Sequence, residues 1–357
     1  VPNLSQNGCS VWVTSSTQLA LTPTAVALGK FDGVHRGHQR VIQPILEDIG
    51  TRGHGDAGKF SLSASPRPNL SASSKDRIYS TVVTFDPHPQ EFFTGQPRTL
   101  LTPLDEKVQQ LRSLGVEQLV LLPFDKDLCA LSPEEFVEKI LVEQLQAVQI
   151  SVGQDFRFGS RRTGTAKDLQ VLAAKYNIPV TIVSLETCAD SQASQSSDAT
   201  EETRISSSLI RDILANGDIQ QANKLLGRPY TLIGTVIKGQ QLGRTLGFPT
   251  ANLQLPKDKF LPHQGVYAVR VFIVGETLDI AGNGYLGVMN IGNRPTVNGI
   301  CLSVEVHIFD WFGDLYGKKL AVQLEKFLRP EQKFPNLEAL KTQIQLDCTA
   351  ARAFFGC

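Results

Sequence analysis

The hydrophobic pattern of this 357-residue chain changes period near residue 228, which limits the folds open to it more than any single motif does. Before that point, apolar runs suited to buried strands (25–28, 78–85, 118–122, 148–152, 180–184) alternate with stretches of helical spacing. Val41, Ile42, Ile45, Leu46 and Ile49 recur on one helical face, residues 104–114 form a second helix, and Ser132-Pro133-Glu134-Glu135 has the cap, proline and acidic first turn of a third. Strand–helix alternation predicts a parallel, doubly wound α/β sheet. After Arg228, short alternating segments (230–237, 266–274, 285–291, 302–309, 320–327) between Gly and Pro turns predict an antiparallel β-barrel. Leu337, Leu340, Ile344, Cys348, Ala351 and Phe355 then form the apolar stripe of a C-terminal helix. Two domains follow, 1–218 and 219–357, joined through a helix over 219–226. Pro44 removes a helix hydrogen bond and is expected to kink or restart the first helix.

Composition narrows the partners. Lys plus Arg and Asp plus Glu are equal at 35 each, so no basic excess points to nucleic acid or an anionic membrane surface, and local sites must supply any anion binding. A hydrophobic fraction of 41% with 20% charged residues is that of a soluble globular protein. No apolar run reaches membrane-spanning length, and the first residues lack a basic flank and apolar block, so neither a span nor a signal peptide is expected. The six cysteines are scattered without a Cys-x-x-Cys pair, which suits reduced thiols, a cytoplasmic location and no zinc site. Oligomeric state is left open. Two stretches rich in Gly, Ser, Pro, Gln or Asp, 50–77 and 187–202, cannot bury enough apolar surface to order themselves and are expected to be disordered insertions. The first contains Gly53-His54-Gly55-Asp56-Ala57-Gly58-Lys59, a near match to a P-loop. Phe60 stands where a magnesium-binding hydroxyl belongs and no strand leads in, so we reject it as a nucleotide site.

The stretch richest in chemistry is Gly29-Lys30-Phe31-Asp32-Gly33-Val34-His35-Arg36-Gly37-His38. An apolar strand ending in glycines before a helix start sets backbone N–H groups and a positive helix end against a phosphate. His35 and His38, three apart, can both turn to one anion, and Gly37 allows a close approach to the backbone. The strand ending in Asp86-Pro87-His88-Pro89 brings polar groups to the carboxyl edge of the sheet, where open α/β folds bind ligands; Asp86 as a turn cap and a solvated His88 are the plainer alternative. Gly153-Gln154-Asp155-Phe156-Arg157-Phe158-Gly159 ends another strand beside Arg161, Arg162 and Lys167, with Phe156 and Phe158 read as packing groups. Arg204-Ile205-Ser206-Ser207-Ser208-Leu209-Ile210-Arg211 opens a helix with hydroxyl and N–H donors between two permanent cations. In the barrel region, Gly243-Arg244-Thr245-Leu246-Gly247-Phe248-Pro249-Thr250-Ala251-Asn252 reads as a flexible loop offering a Thr hydroxyl and an Asn carbonyl, hard oxygens suited to a Mg²⁺ that bridges phosphates. Glu305 and His307 share one face of a strand whose other face carries Val304, Val306 and Ile308. A solvent-facing charge is the plain alternative for Glu305.

Gly-x-Phe-Asp-Gly-Val-His-x-Gly-His, Thr-Phe-Asp-Pro-His-Pro, the Asp155 segment, the Arg204–Arg211 string, Pro-Thr-Ala-Asn at 249–252 and the segment 290–296 together resemble the bacterial bifunctional riboflavin kinase/FMN adenylyltransferases (FAD synthetases), from about residue 21 to the C-terminus. Ser208 stands where that family usually has threonine and keeps the hydroxyl. The resemblance implies a Rossmann-like nucleotidyltransferase domain followed by a riboflavin kinase barrel, with riboflavin, FMN and ATP as substrates and Mg²⁺ as cofactor. It implies that His35 and His38 stabilise charge in adenylyl transfer. ATP there would meet Gly29, Phe31, Asp32, Gly33, Arg204, Ser207, Ser208 and Arg211, and the flavin Asp86 and Asp155. In the kinase, Gly243, Gly247, Pro249, Thr250 and Asn252 would serve ATP and Mg²⁺, and Glu305 would be the general base. Two other classes stay open on the sequence: a nucleotidyltransferase of different specificity with a kinase-like accessory domain, and a flavin-binding regulator without catalysis.

Overall fold

The computed structural model describes residues 11–51, 77–184, 187–188, 203–239, 242–275, 284–296 and 299–357. The P-loop-like run 53–59 lies outside them, as does most of the two expected insertions. Packing divides the chain into one unit of Val1–Arg98 with Gln110–Glu186, and another of Thr99–Gln109 with Thr187–Cys357. No helix among the described residues is long and apolar enough to cross a membrane.

The first unit is built on six parallel strands: β1 (Trp12–Thr14), β2 (Thr24–Leu28), β3 (Tyr79–Asp86), β4 (Gln118–Pro123), β5 (Ala147–Gly153) and β6 (Val180–Val183), in the spatial order β1-β4-β3-β2-β5-β6. All five residues of β2 are buried, so the strand shows no polar alternation, as expected where both faces of a sheet are covered. The chain builds outward from β2 through β3 to β4, then resumes on the other side of β2 with β5 and β6. The gap between the carboxyl ends of β2 and β5 is therefore the topological switch point, the ligand crevice of doubly wound sheets. Helix α1 (Arg36–Thr51) starts there. Of the kink or restart expected at Pro44, the restart does not occur: one helix runs through it, and the Pro44 carbonyl accepts from the Gln149 side chain at 3.3 Å. A short helix, α2 (Pro89–Thr94), follows β3.

In the second unit six antiparallel strands close a barrel: β7 (Tyr230–Ile237), β8 (Ala251–Gln254), β9 (Gly265–Val274), β10 (Tyr285–Thr296), β11 (Gly299–Ile308) and β12 (Lys319–Pro330), ordered β7-β8-β11-β10-β9-β12 and back to β7. Five of these match the expected segments. The sixth, β8, was expected as loop; four residues after a proline are too few to show a period. Helices α3 (Ser207–Ala215) and α4 (Ile219–Leu226) place Ile210, Leu214, Ala222 and Leu226 in one cluster with Leu232, Tyr267, Val306 and Leu324 of the barrel. The C-terminal α5 (Leu337–Phe355) covers an outer patch made by Val266, Ala268, Val288 and Phe309, against which it sets Ala351 and Phe355.

Residues 99–109 join this unit through a buried ion pair. The Lys259 ammonium donates to the Glu106 carboxylate at 2.5 Å and to the Leu101 carbonyl at 2.8 Å, and lies 4.3 Å from the Tyr230 ring centroid. Ile233 N–H donates to the other Glu106 oxygen at 3.3 Å. Burial pushes the Glu106 carboxyl up while Lys259 opposes it, and burial brings the nearby Arg228 guanidinium down to about 10. Such a pair adds little net stability, but losing one partner strands the other in the interior.

Candidate active sites

In the first unit the site is the turn that leaves β2. Gly29 N–H donates to the Val83 carbonyl at 3.2 Å and the Thr84 hydroxyl to the Lys30 carbonyl at 2.8 Å, so the end of β3 anchors the turn. Phe31, Gly33 and Val34 then take positive φ angles of 47°, 91° and 41°. A β-branched Val in this region is costly, of order 1–3 kcal/mol, and persists only where the surroundings hold it. Here the holding groups are visible: Phe31 and Val34 are fully buried, and Asp32 is 3% exposed. Phe31 seats its ring against Gly29, where a Cβ would stand 3.1 Å from ring carbon Cε2.

His35 and His38 come together as a stacked pair with ring centroids 3.7 Å apart and planes 18° from parallel, and Phe31 closes on His38 at 5.2 Å. His35 is buried and His38 half-buried. The backbone N–H of His38 donates to His35 Nδ1 at 3.3 Å, so Nδ1 acts as acceptor and a neutral ring carries its proton on Nε2. Gly37 has a role the sequence did not reveal. A Cβ there would sit 3.3 Å from Cε1 and Nδ1 of His35, so the missing side chain makes room for the neighbouring imidazole.

Cations gather around this turn. The Lys30 ammonium is held below the ordinary lysine range, chiefly by desolvation and then by Arg162 and Arg98, while Asp155 pulls the other way. Arg162 sits on a turn in which Gly159, Arg161 and Arg162 all have positive φ. Asp155 folds back over the end of β5, its Oδ1 3.2 Å from where a Gly153 Cβ would be. Phe158 is core, in ring contact with Phe136 and stacked on Phe156. Nothing in the sequence pattern singles out Arg98, which a long connection brings to Lys30.

Asp86 is exposed at the end of β3, before a cis bond to Pro87, and its carbonyl accepts from Phe124 N–H at 2.9 Å. His88 proves to be a cap: its Nδ1 accepts from Gln90 N–H at 3.1 Å and starts α2. Beside Asp86, Phe85, Phe92 and Phe93 all meet Phe124 edge-on, with centroids 5.4 to 5.8 Å apart. This aromatic cluster, with Phe93 69% exposed, is a second feature the sequence did not disclose.

Arg204, Ser207, Ser208 and Arg211 belong to the second unit. Ser206 caps α3 by accepting from Leu209 N–H at 3.2 Å, and Arg204 and Ser208 are exposed. The Arg211 guanidinium donates to the Thr99 carbonyl at 2.7 Å and lies 5.0 Å from the Phe260 ring centroid.

On the barrel, residues 304–308 of β11 alternate: Val304, Val306 and Ile308 enter the core, while Glu305 and His307 face outward. Glu305 pairs in register with Asn252 of β8 on one side and Asn290 of β10 on the other, so a carboxylate lies between two amides on one face. The Thr250 hydroxyl is 3.4 Å from Glu305 Oε2. Two glycines allow this crowding. A Cβ on Gly239 would overlap the Asn252 amide at 2.3 Å, and one on Gly243 would meet the Phe248 carbonyl oxygen at 2.4 Å and Thr250 Oγ1 at 3.3 Å. Gly247, at φ 88°, turns the loop toward Pro249. The site thus combines one carboxylate with neutral hard oxygens.

Comparison with known proteins agrees with this two-part design. Residues 226–355 match the riboflavin kinase family, and residues 17–55 and 68–198 the FAD synthetase family. The chain is 37% identical over 332 residues to the bifunctional riboflavin kinase/FMN adenylyltransferase of Escherichia coli (strain K12), covering 93% of this chain and 92% of that protein. It is 38% identical over 327 residues to the protein of that name from Pseudomonas fluorescens, covering 91% of each. A crystal structure described as a macrolide-efflux protein from Streptococcus pneumoniae superposes with a TM-score of 0.74 at 28% identity, covering 96% of this chain and 98% of that one.

Proposed function

Since the chain belongs to the bifunctional riboflavin kinase/FMN adenylyltransferase family and has both activities, we propose that adenylyl transfer runs at the β2 turn and phosphoryl transfer on the outer face of the barrel. The enzyme phosphorylates riboflavin with ATP to give FMN, then adenylylates FMN with a second ATP to give FAD and pyrophosphate. In sequence, we put the division between the activities at 218/219, between the matched stretches that end at 198 and begin at 226.

In the kinase step Glu305 accepts the proton of the ribityl 5′-hydroxyl as that oxygen attacks the γ-phosphorus and ADP departs. The observation that carries this assignment is the convergence of Thr250, Asn252 and Glu305 on one face. Thr250 and Asn252 suit Mg²⁺, because their oxygens are hard and neutral, and Gly239 and Gly243 let the backbone pack closely against both side chains. The ion, when bound, neutralises phosphate charge. Gly243, Gly247 and Pro249 shape the loop that covers ATP.

In the adenylyl step the FMN phosphate is already ionised, so its attack on the α-phosphorus of ATP needs no general base. What it needs is positive charge where the transition state gathers negative charge. His35 and His38 supply donors, Lys30, Arg98 and Arg162 supply charge, and the Gly29, Phe31, Asp32 and Gly33 turn presents its backbone to ATP. Asp86 and Asp155 orient the flavin, and the Phe85, Phe92, Phe93 and Phe124 cluster offers its ring an apolar wall. Arg204, Ser207, Ser208 and Arg211 are assigned to ATP on their motif alone. We place the enzyme in the cytoplasm, in keeping with Cys129, Cys348 and Cys357 all being free thiols.

The test is a pair of variants with the flavins separated by chromatography. Glu305→Ala should form no detectable FMN from riboflavin, yet turn supplied FMN into FAD. His38→Ala should accumulate FMN. Equal loss of both steps in either variant rules out separate sites.

A further inference from the structure

We propose that His307 is a positioning residue of the kinase site: it holds the Pro249 carbonyl and so fixes the loop that presents Thr250. The proposal rests on the assignment of phosphoryl transfer to the face of Glu305. His307 lies two residues beyond Glu305 on the same outward face of β11, and its Nδ1 is 2.9 Å from the Pro249 carbonyl oxygen. A carbonyl only accepts, so Nδ1 carries the proton and donates it. Proline has no N–H, and its carbonyl is therefore the one backbone hydrogen-bonding group it offers.

The ring orientation is set by its walls. Phe248 meets His307 edge-on at 5.6 Å, Phe309 does so at 5.9 Å, and Val288 stands opposite in register on β10. The loop needs such a hold. Gly247 gives it a conformation that other residues rarely adopt. Between Gly247 and the start of β8, the described attachments are Phe248 N–H to the Gly243 carbonyl at 2.8 Å, His307 to Pro249, and the long 3.4 Å contact of Thr250 with Glu305. Of the three, the His307 bond is the one that ties the loop firmly to the strand carrying the base. Removing it would let Thr250 drift from Asn252 and Glu305, weakening the grip on the nucleotide before it changes the proton transfer.

The experiment is steady-state kinetics of riboflavin phosphorylation for His307→Leu and His307→Asn, with adenylylation of supplied FMN as a check on folding. His307→Leu should raise KM for ATP by about five- to tenfold, the worth of one net hydrogen bond, with a smaller change in kcat. His307→Asn, whose amide N–H can take the place of Nδ1–H, should recover most of that loss. A wild-type KM in His307→Leu, or an Asn variant as impaired as the Leu variant, overturns the proposal while an inactive Glu305→Ala leaves the site assignment standing. Normal phosphorylation by Glu305→Ala removes the site assignment and this proposal with it.

Discussion

At the edge of the parallel sheet, a strained turn holds two stacked imidazoles, and Arg98 and Arg162 act on Lys30 of the same turn. On the barrel, Thr250 meets the carboxylate of Glu305, which lies in register between Asn252 and Asn290. On the assignment proposed above both sites handle ATP, so the nucleotide does not explain the contrast; the nucleophile does. A flavin phosphate arrives charged and asks only for counter-charge, whereas a ribityl hydroxyl must lose a proton and so needs a carboxylate such as Glu305 within reach. The two units also hold their residues differently. The sheet site relies on buried positive-φ residues to fix a turn, and the barrel site on strand register.

Each half of this contrast can be broken separately. Replacing Lys30 and Arg98 together by Met should cut kcat/KM for adenylylation about 100-fold or more, since each charged contact is worth roughly 1.5–3 kcal/mol, and leave FMN formation from riboflavin unchanged. A comparable fall in both steps would mean that these cations serve the fold instead. Thr250→Val, which keeps the shape and removes the oxygen, should lower kcat/KM for riboflavin phosphorylation about tenfold with adenylylation intact; wild-type kinetics at every Mg²⁺ concentration would exclude Thr250 as a ligand. Gly37→Ala should have the smallest effect, about threefold on adenylylation kcat, because a 3.3 Å contact asks the His35 ring to give by only a few tenths of an ångström. An unchanged kcat there would show that the imidazole pair tolerates displacement.

The sequence disclosed most where chemistry and period coincide. The His35/His38 turn, the Glu305 strand and the two fold classes were legible because strand ends, glycines and alternation are local signals. Strand β8 was not, being four residues long behind Pro249. Arg98 and the Phe124 cluster were not, because their partners are distant in sequence and no pattern records a tertiary contact. The helix motif at 204–211 shows a third limit. Its serines and arginines mark a helix start, but not that Ile210 and, one turn on, Leu214 join the barrel core. Residues 99–109 repeat the lesson: a helix rhythm places them with the parallel sheet, and a buried Lys259–Glu106 pair fastens them to the other unit.

The two-residue repeat of β11 has a practical meaning for anyone who wants to change what the kinase accepts. Over its last five residues the even-numbered positions, Val304, Val306 and Ile308, carry the barrel, and the odd-numbered Glu305 and His307, with Ser303 before them, carry its outward business. A mutant library on this strand should therefore leave Val304, Val306 and Ile308 untouched for the scaffold, and Glu305 and His307 untouched for the reaction, and vary only Ser303.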